Sequence, residues 1–294
     1  MSGAACGPPP AEVLDAFGAA GEPVPLPGGR GRSWRAGGVV LKPVDTSLDD
    51  LRWQEALFAP SRARRDVRLA APLRSSGGDL VVDGWTARPH LPGTTAGAPW
   101  TAVVAAGRRF CAAVRREPRP PHLDRRDDPW ARADRVAWEE DDPPAALSDL
   151  AALNTLAALR RPVPLPAQLV HGDLTGNVLV HPGLPPAVID VSPYWRPVEW
   201  GTAVVVADAL VHHGAGPGLV ARLLPGPDGG QLLVRALLFR GATEVLAAGG
   251  PATPTGPASA WARAVRTAAA AVSGAAARPP APAPAGPGRC RPRR

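Results

Sequence analysis

The stretch HGDLTGNVLV, His171 to Val180, places an aspartate and an asparagine four residues apart between glycines. The chain holds only two asparagines, Asn154 and Asn177, so the second is poor filler. Four residues apart on a helix would put both side chains on one face. Gly172 and Gly176 argue instead for a loop, and the apolar VLV after them for a short strand. Asp173 and Asn177 at the mouth of a strand suit proton abstraction or metal binding. Thirteen residues beyond Asn177, Asp190 ends a second apolar segment, AVID. Two strands that bring Asp173, Asn177 and Asp190 to one end make an oxygen-rich cluster. Such ligands suit magnesium, which binds few protein groups and completes its shell with water and phosphate oxygens. His171 reads as structural, since it precedes the loop and can hydrogen-bond its backbone.

A cation stands apart in the same way. Of 33 basic residues only Lys42 is a lysine. The excess of Arg, Ala, Gly and Pro looks like a coding preference, and against it a lone lysine suggests a site where arginine would not serve. Flanked by VVL and PV, Lys42 is either an edge residue that snorkels or a charge aimed into a cleft. Glu55, thirteen residues further on, could reach back to pair with it or face solvent. Upstream, Gly28, Gly29 and Gly31 form GGRG, which is either a plain turn or a bend where backbone amides approach an anion.

These residues need elements to hold them. AEVLDAFGAA, 11–20, reads as a short amphipathic helix, and Pro25 to Val44 as a hairpin with GVVLKPV as its second strand. SLDDLRWQEALFA, 47–59, is a helix with a capping serine and acids in its first turn. RLAAPLRSS and DLVVDGWTARPHL read as two strands around a turn at 75–79. Helix, hairpin, helix, hairpin makes a small α+β unit. LPGTTAGAPW then supplies a Gly/Pro-rich linker. Long helical stretches follow, interrupted only by QLVHGDLTGNVLV and AVIDVSPYW as a strand–loop–strand piece. The expected division is a nucleotide-binding lobe over 1–95, a helical catalytic and acceptor lobe over 96–273, and a disordered basic Pro/Ala-rich tail over 274–294.

Composition narrows the partners. Net charge is +7, but five arginines lie in the last seventeen residues, leaving about +2 for the body. The body has no basic stripe with interleaved aromatics, so nucleic-acid binding has little support. Cys6, Cys111 and Cys290 have no metal spacing, and an odd, scattered set points to a reducing compartment. The N-terminus lacks a charged start followed by an apolar core. No apolar run approaches the ~18 residues of a membrane span. The expectation is a soluble cytoplasmic protein with no membrane partner.

In order along the chain, the Gly-rich hairpin, strand lysine, helix glutamate, HGD…N and strand-end Asp resemble the protein-kinase-like superfamily. HGD in place of HRD is similar to its aminoglycoside phosphotransferase branch of small-molecule kinases, and LVHGDLTGNVLV with PPAVIDVSPYWRP resembles an uncharacterised actinobacterial subgroup of that branch. The resemblance covers about Glu12 to Ala271. It implies a bilobal α+β fold, with a small β-rich N-lobe and a larger, mainly helical C-lobe. It also implies an ATP-dependent enzyme that moves the γ-phosphoryl group to a hydroxyl of a small-molecule acceptor. Asp173 would take the proton, while Asn177 and Asp190 would hold Mg2+ on the ATP phosphates. Lys42, steadied by Glu55, would bind the α- and β-phosphates, with the glycine bend over them and the adenine near Trp85 to His90. The family places its Asn five positions after the Asp, and here it comes four after. This shortened loop keeps a second reading open, a non-catalytic nucleotide-binding pseudokinase acting through a protein partner. For the acceptor, the acidic run Glu139 to Asp142 could meet a cation or be a solvated helix end. Trp195, Arg196 and Trp200 could line a pocket or pack the lobe.

Overall fold

The computed structural model describes residues 7–27, 31–59, 66–95, 97–143, 150–248 and 259–276. Helix α1 (Ala11–Ala16) precedes strands β1 (Val24–Pro25), β2 (Trp34–Ala36) and β3 (Val39–Pro43), then α2 (Leu48–Phe58), β4 (Arg68–Leu69) and β5 (Trp85–Pro89). An antiparallel sheet forms in the order β1-β2-β3-β5. Alternation assigns its two faces. Leu41, Trp85 and Ala87 point to one side, where they bury with Ala36 against Val13 and Phe17 of the α1 region. Lys42 pairs with Thr86, and Val40 with Arg88, on the other side. The side-chain period of two therefore aims Lys42 away from the small core.

Helix α2 begins where the sequence predicts, with Ser47 Oγ accepting from the Asp50 amide at 3.1 Å. Helix α1 is shorter than expected, because the Ala19 amide turns back to the Leu14 carbonyl. The expected strand RLAAPLRSS is mostly absent. Only β4 survives, and Leu73 makes an isolated bridge to Ala87. Pro72 has no amide proton for a ladder and breaks the run.

The second part of the chain is mainly helical: α3 (Trp100–Val114), a 3-10 turn (Pro121–Arg125), α4 (Pro129–Ala137), α5 (Ala151–Leu159), α6 (Glu199–His212), α7 (Gly218–Leu223), α8 (Gly229–Ala248) and α9 (Ala260–Ala276). Between α5 and α6 lie β6 (Ala167–His171), β7 (Val178–His181), β8 (Leu184–Val188) and β9 (Pro193–Pro197). They form two nested ribbons. β7 pairs β8, while β6 pairs β9 with His171 opposite Pro193. Nesting puts residues 172–177 and 189–192, the two crossings between ribbons, side by side.

Helices α6 and α8 pack against each other and carry much of the large core, including Trp200, Leu233, Leu237 and Phe239. Each such apolar side chain contributes roughly 1.5–3 kcal/mol on burial. The lobes are tied at several points. β4 runs parallel to β8, Thr94 exchanges two 3.0 Å hydrogen bonds with Val180, and His122 in the 3-10 turn lies 3.2 Å from Asp50 of α2. The expected linker is thus bonded to β7 at Thr94. Among the described residues no helix is long and apolar enough to cross a membrane.

Candidate active site

The loop between β6 and β7 is fixed from beneath by His171, which is 1% exposed. Its Nδ1 accepts from the amides of Asp173 (3.1 Å) and Ser192 (3.4 Å), and its Nε2 meets the Ile189 carbonyl at 3.3 Å. Two donors at Nδ1 and an acceptor at Nε2 put the proton on Nε2. Burial pushes the pKa of this imidazole down, in keeping with the acceptor role of Nδ1. One ring thereby locks the Asp173 loop to the Asp190 segment, the structural role its position suggested. Gly172 is required here for space, since a Cβ would lie 2.4 Å from the Tyr194 ring.

The rest of the loop turns on Gly176, whose φ of 79° lies in the left-handed region. The Asn177 amide closes on the Leu174 carbonyl at 3.0 Å. Asn177 Nδ2 donates to the Asp173 carbonyl at 2.7 Å and, more weakly, to Asp173 Oδ2 at 3.4 Å. That orientation turns the amide oxygen of Asn177 away from Asp173. The Ile189 amide donates to the Asn177 carbonyl at 3.0 Å, which brings the two crossings together. Asp190 follows with φ 49°, a backbone state that Asp tolerates better than most residues.

Lys42 reaches across the cleft from the sheet. Its Nζ is hydrogen-bonded to Asp190 Oδ1 and lies 3.3 Å from Asp45 Oδ2. Crowding by the surrounding chain raises the proton affinity of Asp190. The charge and hydrogen bond of Lys42, with Arg88 behind, outweigh this and hold the carboxyl below the usual carboxylate range. The structure therefore brings together Lys42, Asp173, Asn177 and Asp190.

Glu55 is not with them. It forms a two-bond pair with Arg74, at 2.6 and 2.7 Å, and the expected pairing with Lys42 is absent. The reason is helical phase. Asp50 and Gln54, four apart, share the inward face of α2, with Gln54 Nε2 donating to Asp50 Oδ2 at 2.9 Å. Residue 55 is rotated about 100° from 54 at 3.6 residues per turn. What meets the inward face is Arg88 of β5, whose Nη2 donates to Gln54 Oε1 at 2.7 Å and Nη1 to the Ala70 carbonyl at 2.8 Å. Gln54 also reaches the Val191 carbonyl at 3.4 Å, next to Asp190. Trp85, expected near the adenine, belongs to the small core. Thr86 and Arg88 are the β5 residues on the Lys42 face. Gly28 and Gly29 lie outside the described residues. Gly31 sits in the connection from β1 to β2 with φ 68°.

On the other side of Asp173 opens a cavity of about 450 Å³, lined by Thr175, Asp208, His212, Arg240 and Glu244 among others. Arg240 lies in no motif that marks it in the sequence. The guanidinium contacts Asp208 through Nε and Nη2, both at 2.7 Å, and its Nη2 also donates to Asp173 Oδ1 at 2.6 Å. The acidic run after α4 does not line this cavity. Glu140 pairs with Arg196 at 2.6 and 2.7 Å, Glu139 with Arg235 at 3.0 Å, and Asp141 with Arg135 at 2.5 Å. Arg196 and Arg235 each lie 4.9 Å from the Trp138 ring centre, and Trp200 is fully buried. These residues pack the lobe.

The donor chemistry fits a magnesium nucleotide. Asp190 and the outward oxygen of Asn177 are hard ligands, with a lysine beside them for phosphate. Among the described residues no group of three or more His, Cys, Asp or Glu could hold a metal ion by itself.

No family model matches the chain, and no curated protein sequence matches it. Solved structures do. A spectinomycin phosphotransferase in complex with ADP and spectinomycin is 12% identical, with a TM-score of 0.53, 88% of this chain and 96% of that chain covered. An aminoglycoside phosphotransferase from Alicyclobacillus acidocaldarius is 16% identical, with a TM-score of 0.53 and 90% and 92% covered. A choline/ethanolamine kinase family protein from Mesorhizobium loti is 18% identical, with a TM-score of 0.50 and 92% and 94% covered. A β-sheet lobe, a helical lobe and near full-length coverage of these chains give one conclusion: this protein has the bilobal α+β fold of the aminoglycoside phosphotransferase type of kinase-like protein.

Proposed function

We propose that this protein is an ATP-dependent phosphotransferase that moves the γ-phosphoryl group to a hydroxyl of a small molecule. The observation that carries the reading is Lys42 of the sheet bonded to Asp190 across the cleft, with Asp173 and Asn177 on the adjoining loop. An intact set of this kind favours chemistry over nucleotide binding alone. The structural neighbour with ADP and spectinomycin bound lends support for a nucleotide and a small-molecule acceptor.

In this reading the nucleotide lies between the lobes, and its phosphates compete with Asp190 and Asp45 for the Lys42 ammonium. A compact ammonium can change partners there without the planar demands of a guanidinium. Asp190 and Asn177 hold magnesium, which when bound neutralises charge on the phosphate oxygens. The acceptor enters from the cavity beside Arg240 and places its hydroxyl at Asp173. The bond from acceptor oxygen to γ-phosphorus forms as the bond to the bridging oxygen breaks, and Asp173 accepts the hydroxyl proton. ADP is the leaving group. Arg240 already balances part of the cavity's negative charge, so the site has no special fitness for a polycation.

Magnesium-dependent ATP hydrolysis by the purified protein, with water as a slow acceptor, tests the proposal. Turnover that disappears in Asp173→Ala supports it. Turnover equal in Asp173→Ala and wild type rejects it.

A further inference from the structure

Asp208 raises a question that its own helix cannot answer. It is 4% exposed and sits in α6 within Ala203 to Val211, where every other residue is apolar and buried. A carboxylate in such a place costs several kcal/mol unless it is paired. Both of its oxygens are bonded to one side chain, Arg240 of α8, and the same Nη2 that meets Asp208 also meets Asp173. The chain Asp208–Arg240–Asp173 thus runs from the packed helices to the loop.

We propose that Arg240, pinned by Asp208, is the positioning residue that fixes the Asp173 carboxylate for phosphotransfer. The proposal rests on the reading of Asp173 as the base. Apart from Arg240, the Asp173 carboxylate has among the described residues only the long 3.4 Å side-chain contact with Asn177, and Asn177 is assigned to the metal. Asn177 can serve the metal through Oδ1 and keep this contact through Nδ2, but a bond as long as 3.4 Å cannot by itself hold the aspartate. Arg240 can, because its hold comes from two packed helices rather than from the loop. The geometry also requires a guanidinium. Nε and Nη2 grip Asp208 while Nη2 reaches Asp173, a span that one ammonium nitrogen cannot reproduce.

Asp208 and Arg240 also contribute to stability, so the experiment separates that role from positioning. Arg240→Met leaves Asp208 buried and unpaired, and both melting temperature and turnover should fall. The double variant Asp208→Leu/Arg240→Met replaces the buried pair with apolar side chains, a change that often restores stability. Its melting temperature should return close to wild type. Its kcat should stay on the order of a hundredfold low, the cost of a misplaced catalytic group, with KM for ATP little changed. Arg240→Lys should not rescue kcat. Recovery of kcat together with melting temperature overturns the proposal. If the double variant does not fold, Asp208→Asn carries the test. There a fall in kcat at unchanged KM for ATP supports positioning, and an unchanged kcat overturns it. A crystal structure of the folded variant gives a readout independent of activity. Asp173 in a new rotamer supports the proposal, and Asp173 unmoved overturns it. Absence of ATP turnover in the wild type would count against the phosphotransfer reading, while the Asp173 rotamer would still decide the positioning role.

Discussion

Substituting Gly176 perturbs the loop without removing any ligand. With φ at 79° and open space where a Cβ would go, a side chain there meets no clash, so the cost is in the backbone alone. For an ordinary residue the left-handed state costs about 1–2 kcal/mol, and a β-branched residue resists it more strongly. If the loop relaxes, the closure of the Asn177 amide on Leu174 and the Nδ2 bond to Asp173 go with it, and Asn177 loses its aim at the metal. At 1.4 kcal/mol per tenfold, Gly176→Val should weaken magnesium–ATP binding by about tenfold or more. Gly176→Asn should weaken it much less, because Asn enters the left-handed region readily. Isothermal titration with a non-hydrolysable ATP analogue, with and without magnesium, measures both. A silent valine, or an asparagine as damaging as the valine, would refute the claim that the short loop reaches the metal through this bend.

Lys42→Arg keeps the charge but replaces a compact ammonium with a planar fork, so it should weaken ATP binding or turnover. Unchanged affinity and rate would remove Lys42 from the site. Glu55→Gln should leave nucleotide affinity within about twofold, since the Glu55–Arg74 pair is a surface contact and such pairs contribute little. A large loss of affinity in that variant would mean that Glu55 turns to Lys42 when nucleotide binds.

Much of the candidate site was legible because rare residue types stood in telling places. The single lysine in an apolar strand, the Asn among glycines and the aspartate ending AVID all reach the cleft. The shared end of two strands, inferred from Asp173, Asn177 and Asp190, became two adjacent crossings between nested ribbons. Helical phase was harder. Gln54 and Glu55 are neighbours in sequence, and only the packing of α2 over Val191 and beside Arg88 decides which one faces inward. The Asp208–Arg240 link has a signal of its own in the sequence. One acid inside GTAVVVADALVHH and two arginines inside QLLVRALLFRGATEV are buried charges in apolar helices, and buried charges need partners. Which partners they find depends on α6 lying against α8, information that no local pattern carries. PYWRPVEW was ambiguous for a related reason. An arginine beside tryptophans suits a pocket rim and a packed interior equally, and here Asp134, Glu140 and Trp138 draw Arg196 inward.

The division of labour between Asp190 and Asp173 is the heart of the account, and calorimetry of nucleotide binding alongside ATP turnover measures it directly. Asp190→Ala should abolish magnesium-dependent nucleotide binding. Asp173→Ala should bind nucleotide nearly as well as wild type and lose phosphoryl transfer. Equal loss of nucleotide in the two variants, or wild-type turnover in Asp173→Ala, would contradict it.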